Sequence, residues 1–93
     1  MTPLSPTFTK LSAAGSEKTV GRLSLYRRLL ERLLAEGKER VFSHELALLA
    51  GSTSAQVLRD MMALNVIGNP ALGYEVAALT REISRQLDAA EPE

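Results

Sequence analysis

The stretch over residues 43–74 constrains the fold more than any other part of this 93-residue chain. It contains two short segments in which apolar residues recur at helical spacing, and Gly51 separates them. Ser43 is placed to cap the first segment, so we predict a helix over residues 45–50 that ends at the glycine. Two helices joined by so short a turn are typical of the helix-turn-helix motif.

The second segment begins with a capping signal. Thr53 is followed three residues later by Gln56, which is the spacing of a capping box. The pattern predicts a helix over residues 54–64 that buries Val57 and Met61 on one face.

The residues after this helix predict a small β-hairpin. Residues 65–67 and 72–76 contain strand-forming side chains, and the turn formers Gly68, Asn69 and Pro70 lie between them. Val41-Phe42 is expected to add a one-rung strand beside the hairpin. The predicted fold is therefore mainly α with a small β-hairpin, a winged helix-turn-helix with a three-helix core, a wing and an extra C-terminal helix, and its second motif helix usually enters the DNA major groove.

Two further helices are expected outside this stretch. Apolar residues recur at helical spacing from Leu23 to Leu34, and Gly37 follows as a stop signal. A last helix is predicted over residues 76–87. We divide the chain into three parts: a flexible N-terminal arm over 1–15, a winged-helix domain over 16–88 and an acidic tail over 89–93.

The apolar faces of the four helices and the hairpin are predicted to form one core. Its expected members are Leu23, Leu25, Tyr26, Leu29, Leu30, Leu33, Leu46, Leu49, Val57, Met61, Leu64, Ile67, Tyr74, Leu79 and Ile83. Four apolar residues fall outside these faces, namely Leu48, Leu58, Met62 and Leu72. If they are exposed together, they indicate a surface for a partner.

Features of an enzyme are absent from the sequence. There is no cysteine, and the single histidine, His44, has no second histidine with which to bind a metal, so we expect it on the surface. No phosphate-binding glycine loop or nucleophile elbow occurs. We expect a protein that is not an enzyme and binds no cofactor or metal. Without a signal peptide or an apolar run of about 18 residues, we also expect it in the cytoplasm and not in a membrane.

The net charge is zero, since 11 Lys and Arg balance 11 Asp and Glu. Residues 17–40 carry seven cations and four anions, whereas residues 41–93 carry three cations and seven anions. The basic part is therefore the first helix and its approach. A neutral chain is unusual for a DNA-binding protein, because lysine and arginine supply most of the non-specific affinity.

Two residues of the second motif helix are candidates for reading DNA bases. Gln56 can pair with adenine through two hydrogen bonds, and Arg59 can pair with guanine or bind a phosphate. Each of these two residues also has an alternative role within the protein. Gln56 can serve the helix cap, and Arg59 can form an ion pair with Asp60 or Glu45.

Four residues are candidates for contacts with the phosphate backbone. Ser52 and Ser54 lie where the second motif helix begins, and hydroxyl groups there either bind phosphates or cap the helix. Lys18 and Arg22 lie at the start of the first helix, where they either bind phosphates or belong to a salt-bridged, solvent-exposed face.

Motifs spread over residues 18–87 resemble the N-terminal DNA-binding domain of Rex, a family of redox-sensing bacterial repressors. The motifs are Thr19-x-x-Arg22-Leu23-x-Leu25-Tyr26, Leu33-x-x-Glu36-Gly37-x-x-Arg40-Val41-x-Ser43-x-Glu45-Leu46, Ser54-Ala55-Gln56-Val57-x-Arg59-Asp60 and Gly68-x-x-x-x-Gly73-Tyr74-x-Val76. The resemblance implies a winged helix, dimers that bind a palindromic operator and a C-terminal Rossmann domain that senses the NADH/NAD balance.

The chain departs from the Rex pattern in two respects. It ends where the Rossmann domain begins in that family, so we expect neither NAD(H) sensing nor the usual dimer interface. The chain also lacks cations that the Rex pattern has. Neutral residues stand in their place at Leu58 in the recognition helix, at Asn69 and Pro70 in the wing and at Gly21 in the N-terminal segment.

Two functions are consistent with these observations. The first is a Rex-like DNA-binding protein, a transcriptional regulator without its own NAD(H) sensor, bound to an AT-rich palindromic duplex, with a homodimer as one possible state. The second is a protein–protein interaction module, an accessory subunit or adaptor of a redox enzyme complex that contacts its partner through Leu58, Met62 and Leu72. The resemblance favours the first function, and the missing cations favour the second.

Overall fold

The computed structural model describes residues 17–90, and the predicted N-terminal arm lies outside them. The elements, in chain order, are α1 (Glu17–Ala35), β1 (Arg40–Val41), α2 (Ser43–Ala50), α3 (Ser54–Ala63), β2 (Tyr74–Glu75) and α4 (Val76–Ala90). Helix α4 continues three residues beyond its predicted end at residue 87. The first two residues of the predicted acidic tail, 89 and 90, are thus helical, and residues 91–93 lie outside the described part of the chain.

The two motif helices begin with different caps. At α3 one half of the predicted capping box forms, because the Thr53 hydroxyl accepts the Gln56 N–H at 3.1 Å, whereas the Gln56 carboxamide contacts Asp60 and Arg59 and not Thr53. At α2 the prediction is wrong by one residue. Ser43 is the first helical residue, and Phe42 stands at the cap position with its N–H donating to the Glu45 carboxylate at 2.8 Å.

Helices α1, α2 and α3 end in the same way, with a left-handed residue that closes a Schellman motif. Gly37, Gly51 and Asn65 have φ values of 84°, 68° and 61°. After α3, the Val66 N–H donates to the Met61 carbonyl at 2.9 Å. The glycine stop signals in the sequence are confirmed, and an asparagine provides the third.

The predicted first strand of the hairpin, residues 65–67, does not form. The backbone N–H groups of Asn65 and Val66 donate to carbonyl groups in the last turn of α3, so they are unavailable for strand pairing. The wing is instead a tight loop in which Asn69 and Gly73 exchange two backbone hydrogen bonds of 2.9 and 2.7 Å. The Asn69 carboxamide oxygen stabilises this loop by accepting the N–H groups of Ala71 and Leu72.

A two-stranded antiparallel sheet joins the wing to the rest of the domain. Arg40 lies opposite Glu75, and Val41 lies opposite Tyr74. The strand beside the wing was expected at Val41-Phe42, so the prediction is confirmed with a shift of one residue. This sheet places the wing next to the start of α2.

The helices enclose one apolar core beneath the sheet, with α1 packed along α4 and α2 packed against α3. Its buried members are Leu23, Tyr26, Leu30, Val41, Leu46, Ala47, Val57, Met61, Leu64, Tyr74, Val76, Leu79, Ile83 and Leu87. Leu25, Leu29 and Leu33 are partly buried. Two predicted core residues are exposed, Leu49 at 52% and Ile67 at 93%. Ile67 was placed inside by the strand that does not form.

The architecture is the predicted one, a mainly helical domain with a small antiparallel β element arranged as a winged helix. None of the helices within residues 17–90 combines the length and apolarity that crossing a lipid bilayer requires.

Candidate nucleic-acid interface

Helix α3 is the second helix of the helix-turn-helix and presents one face to the solvent. Val57 and Met61 face the core, together with the carboxylate of Asp60, which is only 4% exposed. Arg59 and Met62 lie on the opposite, exposed face. This presentation leaves the outer surface of α3 open to a partner such as the DNA major groove.

A buried network of hydrogen bonds joins α3 to α1 through Asp60. The Arg22 guanidinium donates to both oxygens of the Asp60 carboxylate, with Nε–Oδ2 at 2.8 Å and Nη2–Oδ1 at 3.0 Å. The Tyr26 hydroxyl donates to Oδ2 at 2.6 Å, and the Gln56 amide donates to Oδ1 at 3.1 Å. Four hydrogen bonds therefore satisfy a carboxylate that is almost wholly removed from water.

The network fixes the charge of the carboxylate. Burial by itself would raise the pKa of Asp60, but the hydrogen bonds from Arg22, Tyr26 and Gln56 hold that pKa below its ordinary value. The pKa of the Arg22 guanidinium is raised, chiefly by its hydrogen bond to Asp60. Burial, followed by the hydrogen bond to Asp60, raises the pKa of the Tyr26 hydroxyl. Asp60 is ionised at neutral pH and Tyr26 is not.

The structure engages Arg22 and Gln56, two of the predicted DNA contacts, within the protein. The ion pair considered for Arg59 with Asp60 or Glu45 does not form. Asp60 pairs with Arg22 instead, and the Arg59 guanidinium donates to the Gln56 carboxamide oxygen at 3.3 Å. Arg59 remains exposed on the outer face of α3.

The other predicted phosphate contacts lie around the start of α3 and of α1. Ser52 is half-buried in the turn, and its N–H donates to the Ala47 carbonyl at 2.9 Å. Ser54 is half-buried as the first residue of α3, next to the Thr53 cap. Lys18 is exposed one turn before Arg22. Within residues 17–90, no hydrogen bond joins any two of these three residues.

An apolar groove lies between α3 and the wing. Its lining includes Phe42, Leu58, Met62, Ile67 and Pro70, and no charged side chain is among its lining residues. The exposed fractions are large, at 44% for Leu58, 72% for Met62 and 93% for Ile67.

Two neighbours of the apolar groove complete this surface. Leu72, the third predicted protein contact, is 50% exposed on the wing. His44 is exposed as predicted, and its ring stacks on that of Phe42 with the centroids 5.5 Å apart.

Sequence reasoning missed Asp60 as the centre of the network and Ile67 as part of the apolar groove. A signal for the first was present. Asp60 follows Val57 by three residues, which places its carboxylate on the buried face of α3, and a buried carboxylate requires a cation. No comparable signal marked Ile67, because its β-branched side chain suits a strand as well as an exposed loop.

The arrangement of these elements defines a winged helix-turn-helix domain with its second helix exposed. Comparison with known proteins indicates the same class. Residues 16–61, just under half of the chain, match the family described as "Putative DNA-binding protein N-terminus". The matched residues include β1, α2 and most of α3.

Several relatives carry the name redox-sensing transcriptional repressor Rex. The repressor of Rhodopirellula baltica is 42% identical over 72 residues, which are 77% of this chain and 30% of that protein. The repressor of Deinococcus radiodurans is 45% identical over 69 residues, or 74% of this chain and 30% of that protein. The chain thus spans about 30% of the length of these curated relatives.

Proposed function

We propose that this winged-helix domain binds double-stranded DNA and acts as a transcriptional regulator. The observation that carries the proposal is the exposed α3, held against α1 by the Asp60 network and bearing Arg59 on its outer face. The names of the relatives support the same class of function, because they are transcriptional repressors and not enzymes.

The predicted contacts divide into two roles in this proposal. Arg59 reads a base edge or binds a phosphate, since its guanidinium is the exposed cation of α3. Ser52, Ser54 and Lys18 contact the phosphate backbone at the starts of α3 and α1. Arg22 offers a phosphate only the N–H groups that are not donated to Asp60 or Thr19.

The proposed ligand is an AT-rich palindromic duplex bound by two copies of the chain. Helix-turn-helix proteins commonly bind as dimers to half-sites one helical turn apart, so the two-fold symmetry of the DNA mirrors that of the protein. We place this activity in the cytoplasm, without a catalytic step.

The test is a fluorescence-anisotropy titration with an AT-rich palindromic duplex over a salt series. We expect salt-sensitive binding that Arg59→Ala weakens by about 5- to 150-fold, the effect of losing one good base or phosphate contact of about 1–3 kcal/mol. The matched control is Arg81→Ala, because Arg81 is also an exposed helical arginine but lies on α4. Wild-type protein that binds no duplex at low salt would overturn the proposal.

A second function is favoured by the apolar groove. Its exposed apolar side chains suit an apolar segment of a partner protein better than a phosphate backbone. In this alternative the domain is an accessory subunit or adaptor of a redox enzyme complex, its DNA binding is weak or lost, and Leu58, Met62 and Leu72 form the contact.

The second function predicts stoichiometric co-purification of one partner from the native cell extract. Leu58→Arg should abolish the co-purification because it places a charge in the apolar groove, whereas Arg59→Ala should preserve it. A partner that is lost equally from both variants, or from neither, would argue against the apolar groove as its binding site.

A further inference from the structure

We infer that Asp60 is a positioning residue for DNA recognition, which fixes the carboxamide of Gln56 so that this carboxamide in turn holds the guanidinium of Arg59 on the outer face of α3. The inference rests on the proposed DNA-binding function and adds to it the means by which the reading side chain is oriented.

The orientation of the Gln56 carboxamide follows from the chemistry of its two neighbours. The Asp60 carboxylate can only accept hydrogen bonds, and the Arg59 guanidinium can only donate them. The amide nitrogen must therefore face Asp60, at 3.1 Å, and the amide oxygen must face Arg59, at 3.3 Å. If the carboxamide were flipped, its oxygen would face the Asp60 carboxylate and its nitrogen would face the Arg59 guanidinium. Neither pair could then form a hydrogen bond.

Asp60 is itself held in place by α1. Its carboxylate accepts hydrogen bonds from Arg22 and Tyr26, and it is buried against the core. The position of the carboxylate is thus set by hydrogen bonds from side chains of α1. Through Gln56, this fixed point determines where an otherwise mobile arginine side chain lies, which lowers the entropy that Arg59 loses when it binds.

This arrangement changes the role of Gln56. Both polar atoms of its carboxamide are engaged within the protein, which leaves one N–H group and one oxygen lone pair for any further contact. In this inference Arg59 makes the direct contact with a base, and Gln56 acts through it.

Asp60→Asn tests the inference because it reverses the donor and acceptor pattern. The oxygen of the new carboxamide must face the two donors at Oδ2, Arg22 Nε and the Tyr26 hydroxyl, so its nitrogen takes the place of Oδ1 and faces Gln56 and also Arg22 Nη2. Gln56 must then turn its own oxygen inwards and present its nitrogen to Arg59, which releases the guanidinium. Gln56→Met removes the same link while keeping the length and helix propensity of the side chain.

The chain offers a matched control on α4. The Glu82 carboxylate accepts hydrogen bonds from Arg85 at 2.6 Å and from the Gln86 amide at 3.1 Å, so it repeats the chemistry of Asp60 away from α3. Glu82→Gln makes the same carboxylate-to-carboxamide change. It should leave both the conformation of Gln56 and the DNA preference unaltered.

Two measurements separate positioning from a merely structural role. The first is the NMR signal of the Gln56 side-chain amide in the free protein, which we expect at a hydrogen-bonded position in the wild type and at a displaced position in Asp60→Asn. The second is selection from a randomised duplex library, followed by titration of the selected duplex and a scrambled one. We expect Asp60→Asn and Gln56→Met each to lower the ratio of these affinities about as much as Arg59→Ala.

The combined variants complete the test. If Asp60 acts through Gln56, adding Asp60→Asn to Gln56→Met lowers the preference no further. A loss of folding alone would lower the binding of both duplexes equally and leave their ratio unchanged. An unchanged ratio in Asp60→Asn, or an unmoved Gln56 signal, overturns the inference. If the wild type selects no duplex, the proposed function fails, and the NMR signal then separately decides whether Asp60 holds Gln56.

Discussion

At the scale of single residues, Asp60 both links α3 to α1 and places a buried negative charge beside the candidate interface. Removing a carboxylate from water is costly, and its partners must replace every lost hydrogen bond. Arg22 and Tyr26 do so from α1, at Oδ distances of 2.6–3.0 Å. Such a network adds little net stability over an apolar core, and we expect its main effect to be on the alignment of the two helices.

Removing Arg22 should therefore expose the cost of burying Asp60. Arg22→Ala deprives the carboxylate of two charged hydrogen bonds, and because the Arg22 side chain is 32% exposed we expect water to offset part of the loss. The free energy of unfolding should fall by about 1–3 kcal/mol. Urea denaturation measures it, with Arg28→Ala as the control, since Arg28 is exposed on the same helix. Equal effects of the two variants would contradict a structural role for the pair.

The pKa shift of Asp60 makes the stability depend on pH. The folded-state pKa lies below the unfolded one, so its contribution is fully present above the unfolded value of about 3.9 and is lost as the pH falls through the folded value. Urea titrations from pH 7 to pH 2 should show the stability difference between wild type and Asp60→Asn shrinking below about pH 4. A difference that stays constant down to the lowest pH would mean that the carboxylate is not held by these hydrogen bonds.

At the scale of elements, one glycine makes the junction between the wing and β1 possible. Gly73 has a φ of 76°, and a Cβ atom there would lie 2.5 Å from the Val41 carbonyl oxygen. Neither the backbone conformation nor the close approach of the two strands tolerates a side chain. The wing therefore packs against β1 only because this position lacks a Cβ.

Gly73→Ala should destabilise the domain more than an ordinary left-handed glycine would. Gly37 has a φ of 84° with nothing within 4 Å of an added Cβ, so Gly37→Ala measures the cost of the left-handed conformation alone, about 1–2 kcal/mol. The clash with β1 should add about 1–3 kcal/mol in Gly73→Ala. Thermal unfolding of the two variants provides the comparison. Equal losses of stability would show that the wing can move away from β1 without an energetic cost.

The helices were predictable from the sequence because each carries its own local signals. Apolar spacing and the stop signals at Gly37 and Gly51 are properties of a few neighbouring residues. The wing was harder, since Asn65 can end a helix as a left-handed residue or begin a turn, and only the folded chain decides. The strand prediction for residues 65–67 was wrong for that reason.

The candidate site was predictable only in part. The exposed face of α3 follows from its periodicity, so Arg59, Leu58 and Met62 were placed correctly on the surface. The partner of Asp60 was not, because Arg22 lies 38 residues earlier in the chain. Pairing at that separation depends on the tertiary arrangement of α1 and α3, and no local sequence pattern encodes it.

Introducing a cation at Leu58 should distinguish the two proposed functions by the sign of its effect. If the surface of α3 faces DNA, Leu58→Arg adds a phosphate contact and tightens binding, with a salt slope steeper by about 0.9 per copy. If the apolar groove binds a protein, the same change weakens that complex. Leu34→Arg is the matched control, because Leu34 is 41% exposed against 44% for Leu58 but lies on α1 beside β1 and β2. Weaker DNA binding in Leu58→Arg than in Leu34→Arg would argue against the DNA-facing orientation.

At the scale of the whole molecule, the distribution of charge limits how the domain can bind DNA. The chain is neutral, with its excess of cations in residues 17–40 and its excess of anions in residues 41–93. Residues 51–73 comprise the turn, α3 and the wing, and Arg59 is the only lysine or arginine among them. In the proposed DNA complex, long-range attraction would therefore depend on α1, and the contact made by α3 itself would be nearly uncharged.

A domain of this kind should bind DNA with a shallow dependence on salt. If Arg59 and Lys18 are the phosphate contacts of each copy, the slope of log K against log salt should be about −1.8 per copy, since each neutralised phosphate contributes about −0.9. Lys18→Ala should reduce the magnitude of the slope by one such increment, whereas Arg81→Ala on α4 should not change it. Anisotropy titrations at several salt concentrations give the slope directly. A much steeper value would mean that further arginines of α1 reach the phosphate backbone. Successive substitution of Arg28 and Arg32 would then identify them, because both are exposed on α1 and neither forms an ion pair within residues 17–90.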